Sequence, residues 1–156
     1  MDINDKLKQH LHEAMKHIER MEAAQRALSR LYPLDQKKLE SLSPGDMDKL
    51  DVLAFRFAKL QDLLGSKIFR EYLAILEFPI EGKNFFALLK ELDKEKIVDI
   101  DIWSEFRAVR NSISHDYPYD NSEKIDAINY LIENVNYLTN LVGRIKDNFE
   151  THQQRN

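Results

Sequence analysis

Apolar residues recur at intervals of three and four positions along most of the chain, with charged residues between them. This spacing places the apolar side chains on one face of a helix, so it predicts a series of amphipathic helices. Ser43-Pro44 is a strong start for the second of them, because serine caps a helix and proline fits its first turn. The predicted helices span about Asp5–Leu31, Ser43–Glu77, Asn84–Leu92, Ile102–His115, and Asn121 or Ser122 to beyond Phe149.

The last predicted helix has the most regular pattern in the chain. Its apolar positions alternate by three and four over three heptads, which is typical of helices packed at shallow angles in bundles. No stretch alternates with the period of two that a strand requires. The sequence therefore predicts an all-α, up-and-down bundle of about five helices, forming one domain over residues 1–156.

Two interruptions of the helical pattern have separate interpretations. The segment from Pro33 to Ser43 is polar, and we interpret it as a connection between the first two helices. Gly65-Ser66 lies in the middle of the second helix, where glycine is a weak helix former. We expect this pair to weaken or kink the helix.

Composition narrows the classes of protein that this chain can belong to. Hydrophobic residues make up 43% and charged residues 32%, which indicates a folded globular domain rather than disorder. The absence of cysteine excludes disulfides and thiolate metal sites, and a cytoplasmic setting is our expectation. No apolar run has the length of a signal peptide or a membrane span. The net charge of −4 means that any binding of nucleic acid must rely on a local basic patch.

The predicted helix 102–115 has more polar residues than packing against a core requires. An apolar stripe sufficient to face the core is formed by Ile102, Phe106, Val109 and Ile113. Beside it runs a second stripe with a different character, formed by Trp103, Arg107, Arg110 and Ser114. That flank is expected to be a boundary surface, a groove or a contact with another chain.

The residue types at the end of this helix, Arg110, Asn111 and His115, suggest a site that binds and cleaves a phosphate ester. Arginine offers a fork of permanently charged donors, and histidine exchanges a proton near neutral pH. On an ideal helix Arg110 and His115 point about 140° apart and lie about 7.5 Å apart along the axis. One helix does not focus both groups on one atom, whereas two copies related by a two-fold axis can. The chemistry that suits these groups best is metal-independent cleavage of a phosphodiester.

The segment from Arg110 to Pro118 resembles the R-x4-H-x-Y motif of toxins in the HEPN superfamily, which are commonly encoded beside a minimal nucleotidyltransferase (MNT) antitoxin. The resemblance implies a homodimeric endoribonuclease that needs no cofactor and acts on cellular RNA such as tRNA or mRNA. It also implies that Arg110 stabilises the phosphate, that His115 is the general acid or base, and that Asn111 supports the site. Tyr117 matches the tyrosine that some partner enzymes adenylylate. The stretches Arg56–Gly65 and Ile102–Val109 are similar to the corresponding helices of these toxins.

Two other functions stay open at this point. The chain can be a non-catalytic nucleotide-binding or substrate-presenting subunit of a nucleotidyltransferase, because not every HEPN protein cleaves RNA. It can also be an antitoxin or scaffold module that binds a partner through its helices.

Several single residues have two interpretations. Asp62 and Arg107 are candidate RNA or phosphate contacts. The alternative for Asp62 is that it caps a local network or faces water, and the alternative for Arg107 is a surface salt bridge. Trp103 is expected to pack at a helix or dimer boundary, with base stacking as the lesser alternative. His10, His12 and His17 are interpreted as surface residues rather than metal ligands, because His12 and His17 are five positions apart.

Overall fold

The computed structural model describes residues 1–115 and 120–155, and within these ranges the chain is helical without any strand. The all-α prediction is therefore confirmed. The helices are α1 (Ile3–Leu28), α2 (Gln36–Glu40), α3 (Pro44–Leu63), α4 (Phe69–Ile75), α5 (Phe85–Lys94), α6 (Ile100–Ser114) and α7 (Ser122–Arg155). A π-helical turn, Leu64–Ile68, joins α3 to α4 without a break, and a 3₁₀ turn, Ser29–Leu31, follows α1.

Side chains cap the helices where the sequence changes from turn to helix. The hydroxyl of Ser43 accepts a hydrogen bond of 3.1 Å from the amide of Asp46, with Pro44 in the first turn, as predicted. Asn84 caps α5 and Asp99 caps α6 in the same way. Each cap satisfies an amide that the helix itself leaves unpaired, and so fixes the residue at which the helix begins.

Hydrogen bonds between helices define their relative directions. The end of α1 meets the start of α7, because Gln25 donates to the carbonyl of Ile132 over 2.6 Å. Helices α6 and α7 are antiparallel, since Tyr130 donates to Glu105 while Tyr137, further along α7, accepts from the amide of Asp99 just before α6. Helix α1 is also antiparallel to the α3–α4 helix, since His10 contacts Glu71 while Arg30 contacts Asp46. The four longest helical segments therefore alternate in direction along the chain.

The core contains the apolar stripes that the sequence predicts for the second and last helices. On α7 every member of the predicted stripe is buried: Ile128, Leu131, Val135, Leu138, Val142, Ile145 and Phe149. On α3 and the π turn the members of the apolar stripe are buried as well: Leu50, Leu53, Phe57, Leu60, Leu64 and Ile68. Within residues 1–115 and 120–155, none of the helices combines the length and the apolar character that crossing a membrane requires.

The structure differs from the sequence interpretation at two places. The connection after Pro33 contains the short helix α2, which Asp35 caps by accepting from the amide of Lys38 over 2.8 Å. On α6 the buried residues are Trp103, Phe106 and Val109, whereas Ile102 and Ile113 are only half-buried. Trp103 packs at a helix boundary, as expected, but it belongs to the buried face rather than to the polar flank. The rings of Phe69 and Phe85, from two other helices, pack against it and shift the buried face by one residue.

Candidate functional site

A groove with a volume of about 620 Å³ lies over α6, at the point where α3 gives way to the π turn. Its walls come from three segments that are far apart in sequence, and most of its rim is polar. The lining residues are Gln61, Asp62, Gly65, Ser66, Phe85, Trp103, Arg107, Arg110 and Asn111.

The π turn shapes one wall of this groove. Gly65 lies directly over two aromatic side chains, since a β-carbon at this position would be 3.6 Å from both the Phe85 and the Trp103 rings. The Ser66 hydroxyl donates to the carbonyl of Asp62 over 2.6 Å, which satisfies an acceptor in the distorted turn. The predicted irregularity at Gly65-Ser66 is thus a widened turn within a continuous helix, and such turns are frequent at functional sites.

Arg110 is held by Asp62 across the groove. The two side chains form a bidentate ion pair. One terminal nitrogen of the guanidinium contacts Oδ1 of Asp62, and the other donates to Oδ2 over 3.1 Å. About a third of the Arg110 side chain is exposed, so its charge is accessible from the groove. As an anion, Asp62 repels phosphate. The geometry therefore makes Asp62 the counter-ion of Arg110, rather than a direct phosphate contact.

Arg107 and Asn111 are exposed on the same groove, one on each side of Arg110 along α6. Four of the six proposed site residues thus share one concave surface: Asp62, Arg107, Arg110 and Asn111. Two arginines against the one carboxylate of Asp62 leave the lining of the groove with a net positive charge, although the chain as a whole is acidic.

His115 lies apart from this cluster in the part of the chain that the structure describes. It is exposed, it follows the last residue of α6 and its backbone is extended (φ −101°, ψ 135°), and it is not among the groove's lining residues. The helix ends here with the hydroxyl of Ser114 donating to the carbonyl of Arg110 over 2.9 Å. Tyr117, the predicted modification site, lies outside the described residues.

Two residues that line the groove carry buried polar atoms. Gln61 is only 5% exposed and Trp103 only 2%, and both residues line the groove. The Oε1 atom of Gln61 and the Nε1–H of Trp103 have no hydrogen-bond partner among the described residues. Buried polar atoms without partners are rare and costly, so two of them beside one groove indicate more than a packing role.

Sequence reasoning missed Gln61, although a signal was available. Gln61 follows Phe57 by one helical turn and adjoins Leu60, on the face of α3 that the apolar stripe assigns to the core. A polar residue at such a position is unusual, because glutamine is seldom buried.

The histidines of α1 have separate structural roles. His12 is exposed, as interpreted, but His10 is half-buried and lies 2.7 Å from a carboxylate oxygen of Glu71. His17 is buried, so its interpretation as a surface residue was wrong. Burial lowers the pKa of His17, and the neighbouring charge of Arg56 lowers it further. Among the described residues, no group of three or more acidic residues and histidines is arranged to hold a metal ion.

Comparison of the chain with family models, curated proteins and solved structures finds no match of any of these three kinds. The relation to the HEPN superfamily therefore stays a prediction that rests on the motif residues of α6 and the groove that they share.

Proposed function

We propose that the protein is a metal-independent endoribonuclease whose reacting phosphate binds in the groove over α6. The observation that carries this proposal is the convergence of Arg107, Arg110 and Asn111 on one accessible surface. Two guanidinium groups there can bind a phosphate and stabilise the extra negative charge that develops on it during cleavage. A volume of about 620 Å³ is sufficient for a nucleotide, and lies in the usual range for small-ligand sites.

The chemical step needs a base beside the arginines. In the proposed reaction His115 takes the proton of a ribose 2′-hydroxyl, and the resulting oxygen forms a bond to the phosphorus. The bond from phosphorus to the 5′-oxygen breaks, and that oxygen takes up a proton from the solvent, to which His115 then returns the proton that it accepted. The products are a 2′,3′-cyclic phosphate and a 5′-hydroxyl end. Arg110 stabilises the charged phosphorane between these two events, and Asn111 orients the phosphate or the base.

A homodimer is part of the proposal, because His115 does not line the groove of its own chain. An exposed apolar surface on α3, formed by Met47, Val52 and Phe55, supports self-association. Phe55 lies seven residues before Asp62, which places both on the same side of α3, so this surface continues towards the groove. A partner copy bound there brings its own residues close to Arg110.

Control by a partner completes the proposal. An MNT antitoxin would adenylylate Tyr117 in the cytoplasm, and the added nucleotide would block the approach of RNA to the groove. Incubating the protein with the product of a neighbouring nucleotidyltransferase gene, ATP and Mg²⁺ tests this. Mass spectrometry should find one adenylyl group on Tyr117, and an unmodified Tyr117 would remove this mode of control.

The test of the main proposal is cleavage of end-labelled RNA in excess chelator by the wild type, Arg110→Ala and His115→Ala. We expect both substitutions to lower the rate by about 10²-fold or more, since a general acid or base and a charge-stabilising group each contribute on that scale. The matched controls are Arg26→Ala and His12→Ala, which remove an exposed arginine and an exposed histidine from α1. These controls should cleave at the wild-type rate.

Two results would contradict the proposed nuclease. One is cleavage that disappears with chelator, and the other is cleavage that persists in the folded His115→Ala protein. The position of His115 outside the groove favours a second candidate, a subunit that binds a nucleotide without cleaving RNA. Intact RNA together with calorimetric binding of a nucleotide would establish that alternative.

A further inference from the structure

Gln61 and Trp103 lie beneath the arginine rim of the groove, and their unpaired atoms are chemically complementary. Gln61 offers an acceptor, Oε1, and Trp103 offers a donor, the indole N–H. Both side chains are more than nine-tenths buried, so folding has removed these atoms from water without providing partners for them. A molecule that enters the groove and presents both a donor and an acceptor can replace the partners that folding removed.

The shape of the floor restricts which molecule fits. Gly65 has no side chain, and it leaves open the space over the Trp103 and Phe85 rings. The centres of these two rings are 6.3 Å apart and their planes are tilted by 53°. Trp103 is covered and Phe85 is half-buried, so Phe85 provides the accessible apolar surface, and the buried donor and acceptor belong to residues that line the same groove. A flat heterocycle with polar atoms along one edge suits such a surface, and Arg107 and Arg110 lie at the rim to bind an attached phosphate.

We propose that this floor is a subsite for a nucleobase, in which Gln61 accepts a hydrogen bond from the base edge and Trp103 donates one to it. The proposal rests on the proposed function, since it assigns to the same groove the base that adjoins the bound phosphate. It makes Gln61 and Trp103 specificity-determining residues. In the free protein both atoms are covered, so binding requires both side chains to shift until the oxygen of Gln61 and the N–H of Trp103 face the groove.

The chain contains its own reporter for this subsite, because Trp103 is its single tryptophan. Titration with the 5′-monophosphates of adenosine, cytidine, guanosine and uridine should change the tryptophan fluorescence in a saturable way. Ribose 5-phosphate and inorganic phosphate are the matched probes without a base. We expect at least one nucleotide to bind about a hundredfold more tightly than ribose 5-phosphate, which corresponds to two good additional hydrogen bonds at about tenfold each.

Two variants test the assigned atoms by calorimetry, since one of them removes the fluorophore. Gln61→Leu keeps the size of the side chain and removes the acceptor, while Trp103→Phe keeps an aromatic ring and removes the donor. Each substitution should lower the affinity for the preferred nucleotide about tenfold while leaving the affinity for ribose 5-phosphate unchanged. Gln25→Leu is the matched control, because Gln25 bonds to Ile132 on the other side of the bundle, and it should bind nucleotide as the wild type does.

The outcomes separate this proposal from the proposed nuclease. Equal affinity for ribose 5-phosphate and all four nucleotides would overturn the base subsite, even if RNA is cleaved. Unchanged nucleotide affinity in both folded variants would overturn it as well. Selective binding of a nucleotide that both variants lose supports the subsite, whether or not RNA cleavage is observed. If Trp103→Phe does not fold, Gln61→Leu alone decides.

Discussion

Gln25 and Gln61 both project from long helices towards the interior, but only Gln25 has a hydrogen-bond partner there. In the contact between α1 and α7, Gln25 donates to the carbonyl of Ile132, and Asn129 forms two hydrogen bonds to the backbone of Leu34, of 2.8 and 2.9 Å. At the groove over α6, the acceptor of Gln61 and the donor of Trp103 have none within the described chain. Inward-facing polar side chains are hydrogen-bonded in the first region and lack partners in the second.

The difference separates a region organised for stability from one organised for binding. Where a buried polar atom already has a partner, a ligand gains no binding energy by replacing that partner, so the hydrogen bond only holds the helices together. Where buried polar atoms lack partners, the free protein has given up stability that a ligand can restore. Local rules are most often broken at functional sites, and the groove has three such breaks: the π turn, Gln61 and Trp103.

Breaking the apolar packing on the α1–α7 side should have the largest effect. Leu131 is fully buried on α7, so Leu131→Ala removes apolar contacts and leaves a cavity. We expect the free energy of unfolding to fall by about 2–5 kcal/mol, measured by urea denaturation. Asn136→Ala, at an exposed position on the same helix, should change it by less than about 0.5 kcal/mol. Nucleotide affinity should stay unchanged in both variants when they are measured below the unfolding transition.

The paired substitutions Gln25→Leu and Gln61→Leu should differ in their effect on stability. Gln25→Leu removes a hydrogen bond and should lower the free energy of unfolding by about 1 kcal/mol. Gln61→Leu removes a buried acceptor that has no partner, so it should leave stability unchanged or raise it by about 1–3 kcal/mol. Urea denaturation of the two proteins side by side measures the difference. A clear loss of stability in Gln61→Leu would show that Gln61 has a structural role, and the contrast between the regions would fail.

The sequence was sufficient to predict those features that depend on periodicity and local signals. The three–four spacing of α7 and the Ser43 cap depend only on neighbouring residues, and both are confirmed. Trp103 was misplaced because its burial depends on Phe69 and Phe85, which come from other helices. The pairing of Arg110 with Asp62 spans 48 positions, so no local pattern contains it. Gln61 was missed because hydrogen-bond satisfaction is a property of the folded surroundings.

His17 gives the α1–α3 contact a dependence on pH. Burial and the charge of Arg56 lower its pKa below the ordinary value of 6.5, while Glu13 opposes this shift and Lys59 adds to it. The unfolded chain therefore takes up a proton at a higher pH than the folded chain does. The stabilising effect of a neutral His17 is fully present above about pH 6.5 and is lost as the pH falls towards its folded pKa.

We expect His17→Gln to flatten the acid side of the stability profile. A single group changes the free energy of unfolding by at most about 1.4 kcal/mol per pH unit, so the wild-type slope below pH 6.5 should fall by less than this. Urea denaturation at half-unit steps from pH 5 to pH 8 measures it. His12→Gln, at an exposed position on the same helix, should retain the wild-type slope. An unchanged slope in His17→Gln would mean that other groups cause the acid sensitivity.

Asp62→Asn should have the smallest effect on the free energy of unfolding, and its effect on RNA binding and cleavage should be the most informative. More than half of the Asp62 side chain is exposed, and exposed ion pairs contribute less than about 1 kcal/mol, so unfolding should change by no more than that. In the free protein the carboxylate neutralises Arg110 and repels phosphate. Removing its charge should therefore tighten RNA binding at low salt and make the logarithm of affinity depend more steeply on the logarithm of salt, by up to about one unit of slope. Asp48→Asn makes the same change of charge at an exposed position near the start of α3 and should have a much weaker effect.

The cleavage rate of Asp62→Asn at saturating RNA then distinguishes two roles of Asp62. If Asp62 only competes with phosphate for Arg110, the rate is retained or rises. If Asp62 positions the guanidinium for the charged intermediate, the rate falls although binding improves. Weaker binding of RNA would contradict both roles, and would show that the groove does not contact the RNA backbone through Arg110.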